Sequence, residues 1–134
     1  MGMLRVMIAD DQEEMLRVLV RKLSINHEVV AAVQNGRFLV ESALSLKPDV
    51  IVSDVSMPDK TGPQALEELT ALGCRIPFVF ITAETELITC DGWSVVDKAD
   101  IFAELEPAIE SVVQGKVYVS HRVRILRNGN PFKP

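Results

Sequence analysis

Asp10-Asp11, Asp54, Thr82 and Lys98 are the residues of this 134-residue chain whose types combine into one piece of chemistry. A carboxylate can attack phosphorus, an ammonium and a hydroxyl can stabilise charge on phosphoryl oxygens, and further carboxylates can hold a divalent cation. Taken singly, each has an ordinary structural use: Asp10-Asp11 or Thr82 can cap a helix, Asp54 can start a turn, and Lys98 can sit in solvent. A shared rim changes this, because three carboxylates in one crevice repel unless a cation joins them. Oxygen-rich sites of that kind suit Mg²⁺, which takes few protein ligands and keeps waters and phosphate oxygens. Asp54 is then the candidate nucleophile, and neither His27 nor His121, nor a cysteine, is required.

The elements that would position these residues alternate along the chain. Leu4–Ala9 is a short, mostly apolar run ending at Asp10-Asp11, and it predicts a buried first strand. From Gln12 to Ser24 apolar residues recur at helical spacing, with Glu13 and Glu14 in the first turn and Arg21 and Lys22 in the last, as the helix dipole favours. Val29–Val33 predicts a second strand closed by Asn35-Gly36, and a second helix follows up to Pro48. Asp49–Ser53 predicts strand three, Gln64–Leu72 a helix stopped at Gly73, Pro77–Ile81 strand four and Trp93–Asp97 strand five. Asp100 is placed to cap a last helix whose apolar face is Ile101, Phe102, Leu105, Ile109, Val112 and Val113, ending at Gly115. Pro107 should kink or split it. Five short strands separated by helices imply an α/β fold, an open doubly wound parallel sheet with helices on both faces. Ligands of such sheets bind at the carboxyl ends of strands, which is where Asp10, Asp11, Asp54, Thr82 and Lys98 stand.

In order, Asp10-Asp11, the segment Asp54-Val55-Ser56-Met57-Pro58 with Gly62, Thr82-Ala83 and Lys98 resemble the receiver domain of bacterial two-component response regulators over about residues 3–115. The resemblance implies a flavodoxin-like receiver fold in which Asp54 is the phosphoacceptor. It also implies Mg²⁺ held directly by Asp11, Asp54 and the Ser56 carbonyl and through water by Asp10, Thr82 as the switch hydroxyl, and Lys98 as the ion-pair partner. The implied donor is a phosphohistidine on a sensor histidine kinase or phosphotransfer protein, and the setting is cytoplasmic. Such a domain modifies itself and is not a turnover enzyme. A homodimer is compatible with this reading.

Three features depart from the family pattern. Only 15 residues, Ala83–Asp97, separate Thr82 from Lys98, leaving room for one or two helical turns besides the fifth strand. Val95 stands where the switch aromatic is usual, with Trp93 nearby on the same side of the strand, and Ala99 replaces the common proline after the lysine. Residues 101–123 resemble the last receiver helix and connector of regulators that carry a helix-turn-helix output domain. The 11 residues after Val123 cannot hold such a domain, so DNA would be reached only through a part absent from this chain. The expected division is a receiver at 1–115 and, at 116–134, a basic C-terminal extension or truncated linker.

Composition is consistent with this reading. An apolar content of 48% excludes a disordered chain, and no run of about 18 uncharged apolar residues is available to span a membrane. What remains is one soluble globular domain whose core needs no disulfide. Cys74 and Cys90 form no C-x-x-C pair, and a reducing compartment is expected. Met1-Gly2-Met3 opens neither a signal peptide nor a myristoylation motif, and Gly2 reads as a cloning scar before a natural start at Met3. Residues 1–110 hold all 19 acids and nine bases, whereas 111–134 hold Lys116, Arg122, Arg124, Arg127 and Lys133 with no acid, a pattern expected of a solvated linker or edge. Two rival readings remain: a degenerate receiver used as a phosphorylation-independent scaffold, and an aspartyl phosphohydrolase. The second is disfavoured because Ser56 stands where an Asp-x-Asp acid would be needed.

Overall fold

Runs of Val, Ile and Phe set strand propensity at five places, and amphipathic segments between them return the chain to the same end of the sheet each time. A computed structural model describes residues 2–84 and 92–129, with side chains as far as residue 125. The elements are β1 (Arg5–Ala9), α1 (Glu13–Leu23), β2 (Glu28–Val33), α2 (Gly36–Leu46), β3 (Val50–Asp54), α3 (Gly62–Ala71), β4 (Phe78–Thr82), β5 (Val95–Asp97), a 3-10 turn (Lys98–Asp100), α4 (Ile101–Val113) and α5 (His121–Gly129). All the strand pairings are parallel, in the order β2-β1-β3-β4-β5. The expected doubly wound α/β sheet is therefore present. Its order reverses direction between β1 and β3, which opens a crevice at the carboxyl ends of those two strands.

Alternation along the strands splits the core in two. Val6, Ile8, Val50, Val52, Val79, Ile81 and Val96 face α1 and α4, burying Leu16, Leu19, Leu23, Leu105 and Ile109. Met7, Ala9, Ile51, Phe78, Phe80 and Val95 face α2 and α3, burying Leu39, Ala43, Ala65 and Leu69. With both faces of the sheet covered, the strands read in the sequence as continuous apolar runs rather than alternating ones. Among the described residues no helix is long and apolar enough to cross a membrane.

Several boundaries differ from expectation, each for a local reason. Helix α3 starts at Gly62 rather than Gln64 because Thr61 forms a capping box with Gln64: Gln64 N–H donates to Thr61 Oγ1 at 3.2 Å and Thr61 N–H to Gln64 Oε1 at 2.9 Å. Strand β5 is three residues long, and Trp93 precedes it, packed on Phe80 with ring centroids 5.1 Å apart. Pro107 neither splits nor ends α4, which runs unbroken from Ile101 to Val113. The proline lies on the exposed side, as does Ala103 four residues earlier, so the carbonyl it leaves unpaired can meet water. Phe102 does not join the buried face; it is 75% exposed, with the Lys22 ammonium 5.7 Å from its ring centroid.

Asp100 makes no side-chain cap on α4; its carboxylate instead accepts from Arg122 N–H at the start of α5. The one or two helical turns expected between β4 and β5, and Cys90, fall on residues 85–91, outside the described residues. Lys98–Asp100 turns without a proline at position 99: Asp97 Oδ1 accepts from Ala99 N–H at 2.8 Å, a bond that proline could not make.

The basic segment after α4, expected to be a solvated linker or edge, is docked over residues 118–124. Val119 bridges Val95 in parallel, and Val123 is 2% exposed against the α2/α3 side of the core.

Candidate functional site

Parallel register sets the depth of each side chain on the rim. Ala9 lies beside Ser53, Asp54 beside Ile81, and Thr82 beside Asp97, so the residues at and just beyond these strand ends lie side by side. Asp54 and Thr82 are themselves the last residues of β3 and β4, one position further into the sheet than the sequence suggests. Carboxylate oxygens of Asp10, Asp11 and Asp54 lie within 4.8 Å of one another; Asp10 and Asp54 are buried and Asp11 is exposed. Lys98, one residue beyond β5, reaches this cluster with Nζ 3.2 Å from Asp54 Oδ2 and 3.1 Å from Asp10 Oδ2.

Asp10 has two separate duties. Its Oδ1 accepts from Gln12 N–H at 2.8 Å, fixing the turn into α1. Its Oδ2 is buried and, although close to the Lys98 ammonium, is not aligned for a hydrogen bond. A buried carboxylate oxygen without a hydrogen-bond donor is costly, and a cation placed among the three carboxylates would satisfy it. Among the described residues, three carboxylates against one ammonium leave this pocket short of positive charge. The residues present thus fit a small, hard divalent cation.

The same imbalance acts on Asp54. Burial away from water pushes its carboxyl up from 3.8 to about 6; the Lys98 charge opposes this and the Asp10 charge adds to it, while hydrogen bonds from Lys98 and the Ser56 backbone pull it down. Burial wins because Asp54 is only 7% exposed. Ser56, by contrast, is exposed in the loop after β3. Thr82 is buried at the end of β4, and its Oγ1 accepts from Glu84 N–H at 3.0 Å, so the structure records it in a local turn.

The loop after Asp54 is held close by two glycines, for steric rather than conformational reasons. A Cβ on Gly62 would collide with the Asp54 carbonyl, and the Gly62 N–H donates to Val55 O at 2.9 Å. A Cβ on Gly36, at the start of α2, would strike the Lys60 carbonyl in the same loop. Gly62 therefore sets how closely the loop backbone approaches Asp54.

One further residue joins the cluster. Gln12 Oε1 accepts from Lys98 Nζ at 3.0 Å, giving the ammonium a neutral third neighbour. In the sequence Gln12 only opened a helix, and a glutamine there carries no spacing signal that separates a tether from an ordinary surface residue.

With this geometry in place, comparison with known proteins is informative. The family model for the response regulator receiver domain matches residues 6–100. This chain belongs to that family. It is 33% identical over 122 residues to the transcriptional regulatory protein DesR of Bacillus subtilis, covering 85% of this chain and 60% of DesR. It is 29% identical over 140 residues to the response regulator GacA of Pseudomonas viridiflava, covering 98% of this chain and 65% of GacA, so it spans less than two thirds of either relative. The isolated receiver domain of RcsB from Salmonella enterica serovar Typhimurium, solved with the phosphomimetic BeF3⁻, has the same fold at TM-score 0.71 and 21% identity, over 93% of this chain and 99% of that one. The RcsB–DNA complex matches at TM-score 0.79 and 20% identity, over 93% of this chain and 67% of that one. A receiver domain of a response regulator places the protein in two-component signalling.

Proposed function

We propose that this receiver is a phosphorylation switch in which Asp54 accepts a phosphoryl group from a phosphohistidine on a sensor kinase or phosphotransfer protein. The observation that carries this reading is the charge-unbalanced pocket at the β1/β3 switch point: buried Asp10 and Asp54, exposed Asp11 and, among the described residues, a single ammonium, Lys98, against them.

In this reading Asp11, Asp54 and the Ser56 carbonyl would hold Mg²⁺, with Asp10 contributing through water. When bound, the ion neutralises carboxylate and phosphoryl charge. An Asp54 carboxylate oxygen forms a bond to phosphorus as the P–N bond to the donor imidazole breaks, and the imidazole leaves with a proton. Lys98 stays beside the growing negative charge. Thr82 exchanges its local turn for a contact with the phosphoryl oxygens, which its position at the end of the neighbouring strand allows. Asp54, Thr82 and Lys98 thus carry the chemistry. The domain acts on itself, including when the aspartyl phosphate is hydrolysed, and turns over no separate substrate.

The receiver unit is taken as residues 1–115, and 116–134 as the basic extension toward an output part. The family setting favours a cytoplasmic regulator of transcription. DNA contact and dimerisation, described for RcsB, would come through such a part rather than through the acidic rim.

Incubation with Mg²⁺ and acetyl phosphate, followed by intact mass measurement, should add one phosphoryl group to the chain and none to Asp54→Asn. Uptake that persists in Asp54→Asn would overturn the assignment of Asp54.

A further inference from the structure

The first helix lacks a cap that its two successors have. Asn35 caps α2 by accepting from Phe38 N–H at 2.9 Å, and Thr61 caps α3 by accepting from Gln64 N–H at 3.2 Å. Gln12 holds the same position on α1 and makes no side-chain cap. Glutamine carries its amide one methylene further out than asparagine, a poor length for folding back on the N–H groups of its own first turn. Its backbone is fixed all the same: Gln12 N–H donates to Asp10 Oδ1 at 2.8 Å, and Gln12 O accepts from Leu16 N–H at 3.0 Å.

The side chain is used elsewhere. Gln12 Oε1 accepts from Lys98 Nζ at 3.0 Å, across 86 positions of sequence. An ammonium offers only donors, so it is the carbonyl end of the amide that faces it. A second hydrogen bond runs from Lys98 Nζ to Asp54 Oδ2 at 3.2 Å.

Asp10 Oδ2 is the oxygen left out. It lies 3.1 Å from the ammonium, is buried, and carries no hydrogen bond. A carboxylate is a stronger acceptor than an amide oxygen, so an ammonium without the Gln12 tether would bond Asp10. Bonded there, it would occupy the oxygen that a cation needs and keep its positive charge among the three carboxylates. An ammonium and a divalent ion compete for the same negative charge and repel one another.

We propose that Gln12 is a positioning residue for the ion site: by accepting from Lys98 it turns the ammonium away from Asp10 and keeps Asp10 Oδ2 open to a divalent cation or its water. The proposal rests on the reading of this pocket as a Mg²⁺ site, and not on Asp54 as phosphoacceptor. The missing cap on α1 is the local mark of that use, because a residue serving the helix alone would be shorter.

Titration of the isotope-labelled full chain with MgCl₂, followed by NMR at the Asp11 and Val55 amides, tests this without any phosphoryl donor. Gln12→Met keeps the length but not the acceptor, and Gln12→Ser supplies a good cap but no reach. In both, Mg²⁺ affinity should fall about fivefold or more, within the range of common coupling strengths. Gln12→Glu, with an acceptor at the same reach, should bind at least as tightly as the parent. Gln12 is exposed, so these substitutions leave the core intact. In a Lys98→Met background, Gln12→Ser should change the affinity by less than about twofold, because the partner is gone. A merely structural role predicts the reverse pattern: altered unfolding in urea with Mg²⁺ affinity unchanged. Unchanged affinity in Gln12→Ser or Gln12→Met, weaker binding in Gln12→Glu, or an equal fall in the Lys98→Met background overturns the proposal while the cation reading stands. A parent chain that binds no Mg²⁺ overturns that reading and the proposal with it.

Discussion

Two acid–base clusters lie at opposite ends of the same sheet, and they are built on different arithmetic. At the amino ends of the strands, buried His27 accepts from Leu4 N–H through Nδ1 at 3.2 Å, and its Nε2 lies 2.8 Å from Glu106 Oε2. With Nδ1 used as an acceptor, Nε2 carries the proton, and one base meets one acid. At the carboxyl ends, Asp10, Asp11 and Asp54 face one ammonium, and a buried Asp10 oxygen lacks a hydrogen bond. The first cluster pairs one imidazole N–H with one carboxylate oxygen, leaves Glu106 Oε1 without a hydrogen bond, and ties loop, strand and helix together. The second is over-supplied with negative charge and stays so without a ligand. Both contain buried ionisable groups, so burial alone does not mark a functional site; the imbalance does.

Breaking the paired cluster should give the largest effect on stability. In His27→Ala a buried N–H and a carboxylate lose their partner and a cavity opens, at a cost of about 3 kcal/mol in urea unfolding. Phosphoryl uptake by the folded fraction should be unchanged. A loss below about 1 kcal/mol would mean that the pair does not tie the two elements together.

The unbalanced cluster should respond in the opposite direction. Asp54 has its carboxyl raised from 3.8 to about 6 by burial, so the folded chain binds the proton more tightly than the unfolded one. Between these values the unfolded state ionises first, so stability falls as pH rises through the window and levels off above it. Asparagine escapes that loss. Without divalent cations, Asp54→Asn should be more stable than the parent at pH 7.5 by about 2 kcal/mol, the gap closing below pH 4, as compared by denaturant unfolding at the two pH values. A variant no more stable than the parent at pH 7.5 would show that Lys98 already compensates the Asp54 charge.

This contrast also explains what could be read from the sequence. Strand runs, helical periodicity and the placement of Asp10, Asp11, Asp54 and Lys98 at strand ends were legible because they follow from short-range patterns plus one topological rule. Pro107 misled because the expected break presumes a carbonyl that cannot be satisfied, whereas here it faces solvent. Asp100 misled because a cap is normally local, and this one serves a helix 22 residues away in sequence. The tail looked like a solvated linker or edge because its charge is uniform; the acids that pair with it, Asp100 and Glu104, lie in another element. Gln12 and His27 owe their roles to long-range contacts that no local spacing announces.

The smallest effect is the most specific to the acidic rim. A cation that binds only the folded state stabilises it by RT ln(1 + [L]/Kd), about 1.4 kcal/mol at ten times Kd. Mg²⁺ should therefore raise the unfolding midpoint of the parent, and most of that gain should vanish in Asp11→Ala. Asp11 is exposed, so its substitution leaves the core intact and separates loss of a ligand from loss of packing. His27→Ala, although much less stable, should keep the full increment, because its cluster lies at the other end of the strands. If Asp11→Ala retained the Mg²⁺ increment, the excess negative charge around Asp10 and Asp54 would be met by Lys98 and solvent alone, and the two clusters would no longer differ in kind.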